Sequence, residues 1–381
     1  MTVTKDVNVY KQTALSLAEY FGRNAAERDR KGGNPKAERD LIRDSGLLTL
    51  LIPEEYGGTG GTWRDVLDVV HIFAKADSSL AHVYGYHFIN LITPHLCGTP
   101  EQKEYFYSQT ARHNLFWGNA FNPLDKRLKA VKEDGAYILR GVKSFCSGSA
   151  DSDYLLISAD LEGREEPFLA VIPTNRIGIN LQYDWDNFGQ RQTDSGTILF
   201  DEVAVKEEEV LPYGTNRNEF TRLRVNIANF ILNHVHLGIM EGAFEQALHY
   251  TKTETRPRSP LHESAAEDPN IQRHYGEFAV QLEAAHLLVV KSDRLFQKLW
   301  DKGTATTPED RRELDRITNI AKVFTTKAGL DLTTRIFEVM GSRATSNRYG
   351  FDRYWRNLRT MTLHVPVDAA VQEIGKDILA D

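Results

Sequence analysis

Twice along this chain the spacing of apolar residues changes, and each change excludes one kind of secondary structure and imposes another. From Val9 to about Phe116 the apolar positions recur at threes and fours, as in "ALSLAEYF", "AERDLIRDSGLL" and "WRDVLDVVHIFAKA", which places them on one helical face. The glycine-rich "PEEYGGTGGT" interrupts this stretch as a connector. After Trp117 the apolar runs shorten and fill with β-formers: "AYILRGVKSF", "YLLISADL", "FLAVIPT" and "GTILFDEVAV", each bounded by Gly, Asp, Asn or Pro. Beyond Leu211 helical spacing returns in "NEFTRLRVNIANFILNHVHLGIMEGAFEQALHYTKT", apolar around most of its circumference as a helix inside a bundle or oligomer would be. A second helix follows at "IQRHYGEFAVQLEAAHLLVVKSDRLFQKLW". A third begins where Thr307 caps and Pro308 takes the first turn, and it ends near Met340 before Gly341. Residues 1–116 are expected to form an N-terminal helical domain, 117–211 a β-domain and 212–381 a C-terminal helical domain, an α+β fold that is mostly α.

With 381 residues, 41% of them hydrophobic and 26% charged, the chain can bury a large core. A net charge of -7 argues against nucleic acid as a partner, because that binding requires a surplus of Lys and Arg to displace counterions. Two cysteines, Cys97 and Cys146, are too few for a disulfide framework or a structural zinc site. The N-terminus lacks a continuous apolar signal core, and no run approaches the ~18 apolar residues of a membrane span, so a cytoplasmic protein with no membrane partner is expected. No metal is expected either. There is no H-E-x-x-H, and neither His82 with His87 nor His234 with His236 has the i, i+4 spacing that puts two ligands on one helical face. No Walker A sequence occurs, and "YGGTGGT" lacks the βαβ context of a dinucleotide cradle.

One stretch stands apart from these patterns. "GVKSFCSGSADSDY" sets an aromatic, a thiol and several serines at a tight corner between two strand-like runs. Together with "FGQRQTDSGTILFDEVAV" and "RYGFDRYWRNLRT", in that order, it resembles the acyl-CoA dehydrogenase superfamily over essentially the whole chain: its middle-domain corner, its Gly-x-Arg strand and its C-terminal arginine helix. The resemblance implies an N-terminal helical domain, a central β-barrel, a C-terminal four-helix bundle, a flavin between barrel and bundle, and a homotetramer. Within the superfamily, "SLAHVYGYHFIN", "WGNAFNP", "KSFCSGSADSD", "DWDNFGQRQTDSG", "RYGFDRYWRN" and "LHVPV" are similar to the flavin-dependent monooxygenase branch typified by the sulfone-forming dibenzothiophene monooxygenases.

A dehydrogenase of this superfamily needs a carboxylate base above the flavin, commonly in a Tyr-Glu-Gly-Thr segment after the arginine helix. Here that place reads "MTLHVPVDAAVQEIG", with His364 and Val365 at the critical positions and Asp368 and Glu373 as the nearest carboxylates. A monooxygenase instead needs hydrogen bonds to the flavin and a dry pocket in which a C4a-hydroperoxyflavin survives. The resemblance assigns catalytic roles to His82, Tyr86, Asn119, Ser147 and His364. It assigns flavin contacts to Phe145, Ser147 and Trp185, and the flavin phosphate to Arg256 and Arg343 from different subunits. Taken without the family, Ser147 also reads as a turn residue, Asn119 as an Asx turn, Trp185 as core and His364 as an ordinary polar side chain. His82 and Tyr86 at i, i+4 share one helical face. Arg353, Arg356 and Arg359 are expected to form subunit or structural ion pairs.

The function implied is a two-component monooxygenase that takes O2 and reduced FMN, with FAD as the other candidate. Since the chain has no nicotinamide-domain signature, a separate NAD(P)H flavin reductase would supply the reduced flavin. The substrate expected is a small apolar heteroatom compound, an organosulfur first, oxidised to sulfoxide and sulfone. An amine or amino sugar undergoing N-oxidation and an acyl-CoA dehydrogenase are the alternatives.

Overall fold

The computed structural model describes residues 7–133, 135–214, 217–257 and 259–380. Its N-terminal part is helical: α1 (Val7–Arg23), α2 (Ala25–Lys31), α3 (Lys36–Asp44), α4 (Trp63–Ala76), α5 (Ser78–Leu91), α6 (Thr93–Cys97) and α7 (Pro100–His113). Helix starts carry the side chains that satisfy free N–H groups. Thr62 and Asp65 form a capping box on α4, and Asp77 accepts from the Ser79 and Leu80 amides to start α5. Every residue of α5 is buried, so this helix is the axis on which the other elements meet.

The strands are β1 (Trp117–Ala120), β2 (Lys129–Glu133), β3 (Ala136–Lys143), β4 (Tyr154–Leu161), β5 (Phe168–Pro173), β6 (Ile179–Leu181), β7 (Ile198–Val205) and β8 (Val210–Leu211). They form one mixed sheet in the order β6-β7-β3-β2-β4-β5-β8, with β1 parallel to β4. Leu139, Leu155, Ile157, Ile172 and Val203 fill its core, separate from the helical one. The Gly-x-Arg segment expected in a strand, Gly189–Arg191, lies instead in the loop before β7. Gln190 and Asp194 there take φ of 53° and 46°, a left-handed backbone outside the region of regular β pairing.

Three long helices follow, α8 (Glu219–Thr253), α9 (Pro269–Lys302) and α10 (Pro308–Met340), then α11 (Asp352–Thr362) and α12 (Val367–Ala380). α10 starts where the sequence indicates, with Thr307 and Asp310 in a capping box and Pro308 in the first turn. α8 packs on α4, α5, α9 and α10. A Cβ at Gly85 of α5 would come within 2.5 Å of Ile231 Cγ2 of α8, so only glycine permits that close approach. Of the arginine series, Arg356 pairs with Asp29 and Asp352, which ties α11 to α2.

Candidate active site

The corner between β3 and β4 presents Phe145 and Ser147 in opposite ways. Phe145 has φ of 60°, which costs a bulky L residue on the order of 1–3 kcal/mol. It is 63% exposed, so burial does not compensate that cost. Its ring meets Trp185 edge to face, with centroids 5.9 Å apart. Trp185 is fixed in turn by Nε1 donating to the Gln190 carbonyl at 2.8 Å. The pair makes an aromatic wall of one exposed and one half-buried ring.

Ser147, by contrast, is buried, and its Oγ lies 2.7 Å from Ser195 Oγ. Ser195 Oγ lies 2.7 Å from Thr193 Oγ1, and Thr193 donates to the Gln190 carbonyl at 2.9 Å. Each hydroxyl has one proton. With Thr193 committed to Gln190, Ser195 donates to Thr193 and Ser147 to Ser195. The lone pairs of Ser147 are then left to accept from a ligand. The Asn119 amide donates to the Ser147 carbonyl at 3.1 Å, joining β1 to the corner. Buried Arg39 props the corner from behind, donating to the carbonyls of Gly148 and Asp151 at 3.0 Å each.

Against this corner runs α5. A Cβ on Gly148 would sit 3.0 Å from Val83, the neighbour of His82. The His82 and Tyr86 rings lie 4.3 Å apart, one turn separated as their spacing requires. Tyr86 Oη is 3.1 Å from His364 Nε2, joining residues 278 positions apart in sequence. His82 Nδ1 contacts Met361 Sδ at 3.1 Å, and its Nε2 is buried with no partner among the described residues. Burial pushes His82 down to about 3, with the His364 charge a lesser cause, so this ring is neutral at pH 7. Burial holds the Tyr86 phenol protonated, only partly offset by Arg224. His364 is exposed, and its imidazole is lowered from the ordinary histidine value first by desolvation and then by the Lys322 ammonium.

Arg256 and Arg343 do not touch this group. Both are exposed, and their guanidinium groups have no hydrogen-bond or ion-pair partner among the described residues. Thr255 Oγ1 donates to the Met340 carbonyl at 3.2 Å, so the segments carrying the two arginines lie side by side within one chain. Beside Arg343 lies a cavity of about 210 Å³ lined by Phe337, Ala344, Thr345 and Asp352.

Asp368 and Glu373 are exposed on α12, and Glu373 Oε1 accepts from Lys376 Nζ at 2.7 Å. Neither meets His364 or Tyr86. Tyr86 and His364 thus form a phenol–imidazole pair with no carboxylate partner among the described residues.

Sequence reasoning passed over Thr193 and Ser195, although "QTDSG" contains both. It also passed over Arg39, Arg224 and Lys322, which carry no motif.

Residues 8–114 match the acyl-CoA dehydrogenase N-terminal domain, and residues 230–369 match the acyl-CoA dehydrogenase C-terminal domain. The chain belongs to the acyl-CoA dehydrogenase family. It is 48% identical to the probable FMNH2-dependent monooxygenase SfnC of Pseudomonas putida, over 97% of this chain and 94% of that one. Among solved structures, methanesulfinate monooxygenase MsuC from Pseudomonas fluorescens superposes with a TM-score of 0.95 at 47% identity, covering 97% of this chain and 96% of that one. FMN-bound TdsC, a dibenzothiophene monooxygenase from Paenibacillus sp. A11-2, gives 0.92 at 41% identity, with 97% of each chain covered.

Proposed function

We propose that this member of the family is a two-component monooxygenase that uses reduced FMN and O2 to oxygenate the sulfur of an organosulfur compound. The observation that carries the reading is the His364–Tyr86 hydrogen bond where the resemblance puts the base, with no carboxylate partner to either group among the described residues. Proton abstraction next to a thioester has no base there; oxygen transfer to sulfur requires none.

The residues present fit FMN. Phe145 and Trp185 offer an aromatic wall to the isoalloxazine. The hydroxyl chain leaves Ser147 as an acceptor, which suits the N5–H of reduced flavin. Arg256 and Arg343 are two exposed guanidinium forks, without a partner among the described residues, that suit a phosphate. Bound reduced FMN supplies two electrons and the C4a position that carries oxygen as a hydroperoxide. The protein's part is then to hold, dry and protonate. Buried Ser147 and Asn119 orient the reacting groups, and neutral His82 offers its unpartnered Nε2 as a further hydrogen-bonding atom. The Tyr86–His364 pair holds the proton required by the oxygen atom that leaves as water.

A separate NAD(P)H flavin reductase supplies the reduced FMN. Among the described residues no helix is long and apolar enough to cross a membrane. Assembly into a homotetramer is supported by apolar residues left outside on the bundle, Val225, Val280 and Leu287, at 63%, 70% and 60% exposure. Light scattering checks it. The deciding experiment combines the protein with a flavin reductase, NADH, FMN and an organosulfur compound under air. Sulfoxide, sulfone or sulfonate is expected. Flavin bleaching by an acyl-CoA under anaerobic conditions, with no oxygenated product from any sulfur compound, would overturn the proposal.

A further inference from the structure

The two histidines of α5, His82 and His87, are held in opposite ways. The Trp117 amide donates to His87 Nδ1 at 3.2 Å, and His87 Nε2 lies 2.9 Å from the Leu48 carbonyl oxygen. A carbonyl only accepts, so the His87 proton sits on Nε2 and both nitrogens are satisfied. His82 is 6% exposed, and its Nδ1 lies 3.1 Å from Met361 Sδ on α11. A thioether sulfur carries no proton and only accepts. With the proton on Nε2, two lone pairs would face each other at that distance, and a buried N–H would stand without an acceptor among the described residues. The His82 proton is therefore on Nδ1. Burial keeps the ring neutral at pH 7, which leaves Nε2 as a bare lone pair.

Met361 touches more than one member of the site. It is the penultimate residue of α11, 3% exposed, and its carbonyl accepts the His364 amide at 3.1 Å. His364 Nε2 in turn lies 3.1 Å from Tyr86 Oη, and Tyr86 stands one turn after His82 with the two rings 4.3 Å apart. His82, Met361, His364 and Tyr86 thus close a circuit between α5 and the end of α11. Within it the sulfur of Met361 fixes one imidazole, and the main chain of the same residue fixes the other. A buried acceptor left unpaired is costly, and a bound group that carries a proton removes that cost. Tyr86 Oη is already engaged with His364, so that group comes from outside the circuit.

We infer that Met361 is a positioning residue: its sulfur holds His82 as the Nδ1–H tautomer, so that Nε2 meets a bound reactant as the acceptor of its O–H or N–H. The role at the reactants rests on the monooxygenase reading. It divides the work of the site. Neutral His82 holds a proton-bearing group without protonating it, and the Tyr86–His364 pair keeps the proton that the departing water requires.

The test reads the tautomer directly, by nitrogen NMR of flavin-free protein carrying isotope-labelled histidine, with His82 assigned by the signals lost in His82→Gln. Wild type at pH 7 should show a protonated, pyrrole-type Nδ1 and a bare, pyridine-type Nε2. Met361→Leu keeps the bulk of the side chain and removes the acceptor. It should leave the circular dichroism unchanged and let the His82 proton exchange between the two nitrogens, which moves both signals toward intermediate shifts. In the reductase-coupled reaction it should lower kcat for oxygenated product about fivefold, the worth of one oriented hydrogen bond, with KM for the sulfur compound little changed and peroxide rising to match. A wild-type spectrum with the proton on Nε2, or with both nitrogens protonated at pH 7, overturns the inference even where Met361→Leu fails to fold. A folded Met361→Leu protein that keeps the wild-type tautomer, or the wild-type ratio of product to peroxide, overturns it too and leaves Met361 a packing residue. If wild type shows the Nδ1–H tautomer yet gives no oxygenated product from any sulfur compound, the monooxygenase reading fails while the tautomer assignment stands.

Discussion

Replacing Ser147 by alanine removes the first hydroxyl of a buried chain while leaving the second with a partner. Ser195 keeps Thr193 at 2.7 Å, and Thr193 keeps the Gln190 carbonyl at 2.9 Å, so no buried hydroxyl is orphaned. The stability cost is then that of one neutral hydrogen bond, about 1 kcal/mol. A chain of 381 residues has an unfolding entropy of roughly 0.8 kcal/mol/K, so Tm should fall by only about 1 °C. FMN affinity should drop by about fivefold, the same energy expressed as binding. Turnover should suffer far more. A preorganised group that acts on the reacting atoms is worth about 100-fold or more when removed. The assay counts oxygenated product and hydrogen peroxide per NADH consumed in the reductase-coupled reaction. Product should fall by about 100-fold while NADH and oxygen continue to be consumed, with peroxide rising to match. An alanine variant that keeps the wild-type ratio of product to peroxide would refute the placement of Ser147 against the flavin, however small its effect on Tm.

His364→Ala should likewise cut product by about 100-fold with little loss of stability, since the exposed imidazole has one side-chain hydrogen bond to lose; unchanged turnover would remove it from the mechanism. Arg256→Ala and Arg343→Ala should each weaken FMN binding by about 10-fold or more in a fluorescence titration while leaving urea unfolding unaltered, because neither guanidinium has a partner among the described residues. Stability should depend on pH through His82, His87 and His236, which burial holds near 3 in the folded chain against about 6.5 when unfolded. Between those values the unfolded chain binds more protons, so stability is complete above about pH 6.5 and falls as pH drops, by on the order of 2 kcal/mol per imidazole at pH 5; urea midpoints equal at pH 7.5 and 5 would contradict it. Gly189→Ala should cost about 1–3 kcal/mol, since its Cβ would meet the Arg356 carbonyl oxygen at 2.1 Å and force α11 off the loop that carries Gln190; an unchanged urea midpoint would show that the loop yields.

The period of the apolar residues was enough to determine helix, then strand, then helix, because that pattern is local: a face three or four residues wide is written in the residues themselves. Capping is local as well, and Thr307 and Pro308 stand at the start of α10 where the sequence puts them. His82 and Tyr86 could be placed on one face for the same reason. What the chain's order alone could not decide is which distant groups share a space and which charges lack a partner. The Tyr86–His364 bond spans 278 positions, and the φ of 60° at Phe145 exists only because the packed corner enforces it. The resemblance implies a strand at the Gly-x-Arg segment, yet it lies in a loop where Gln190 and Asp194 take a left-handed backbone. Arg224 and Lys322 look like any surface cation in the sequence. Both are buried, and only the three-dimensional fold determines what surrounds a buried charge.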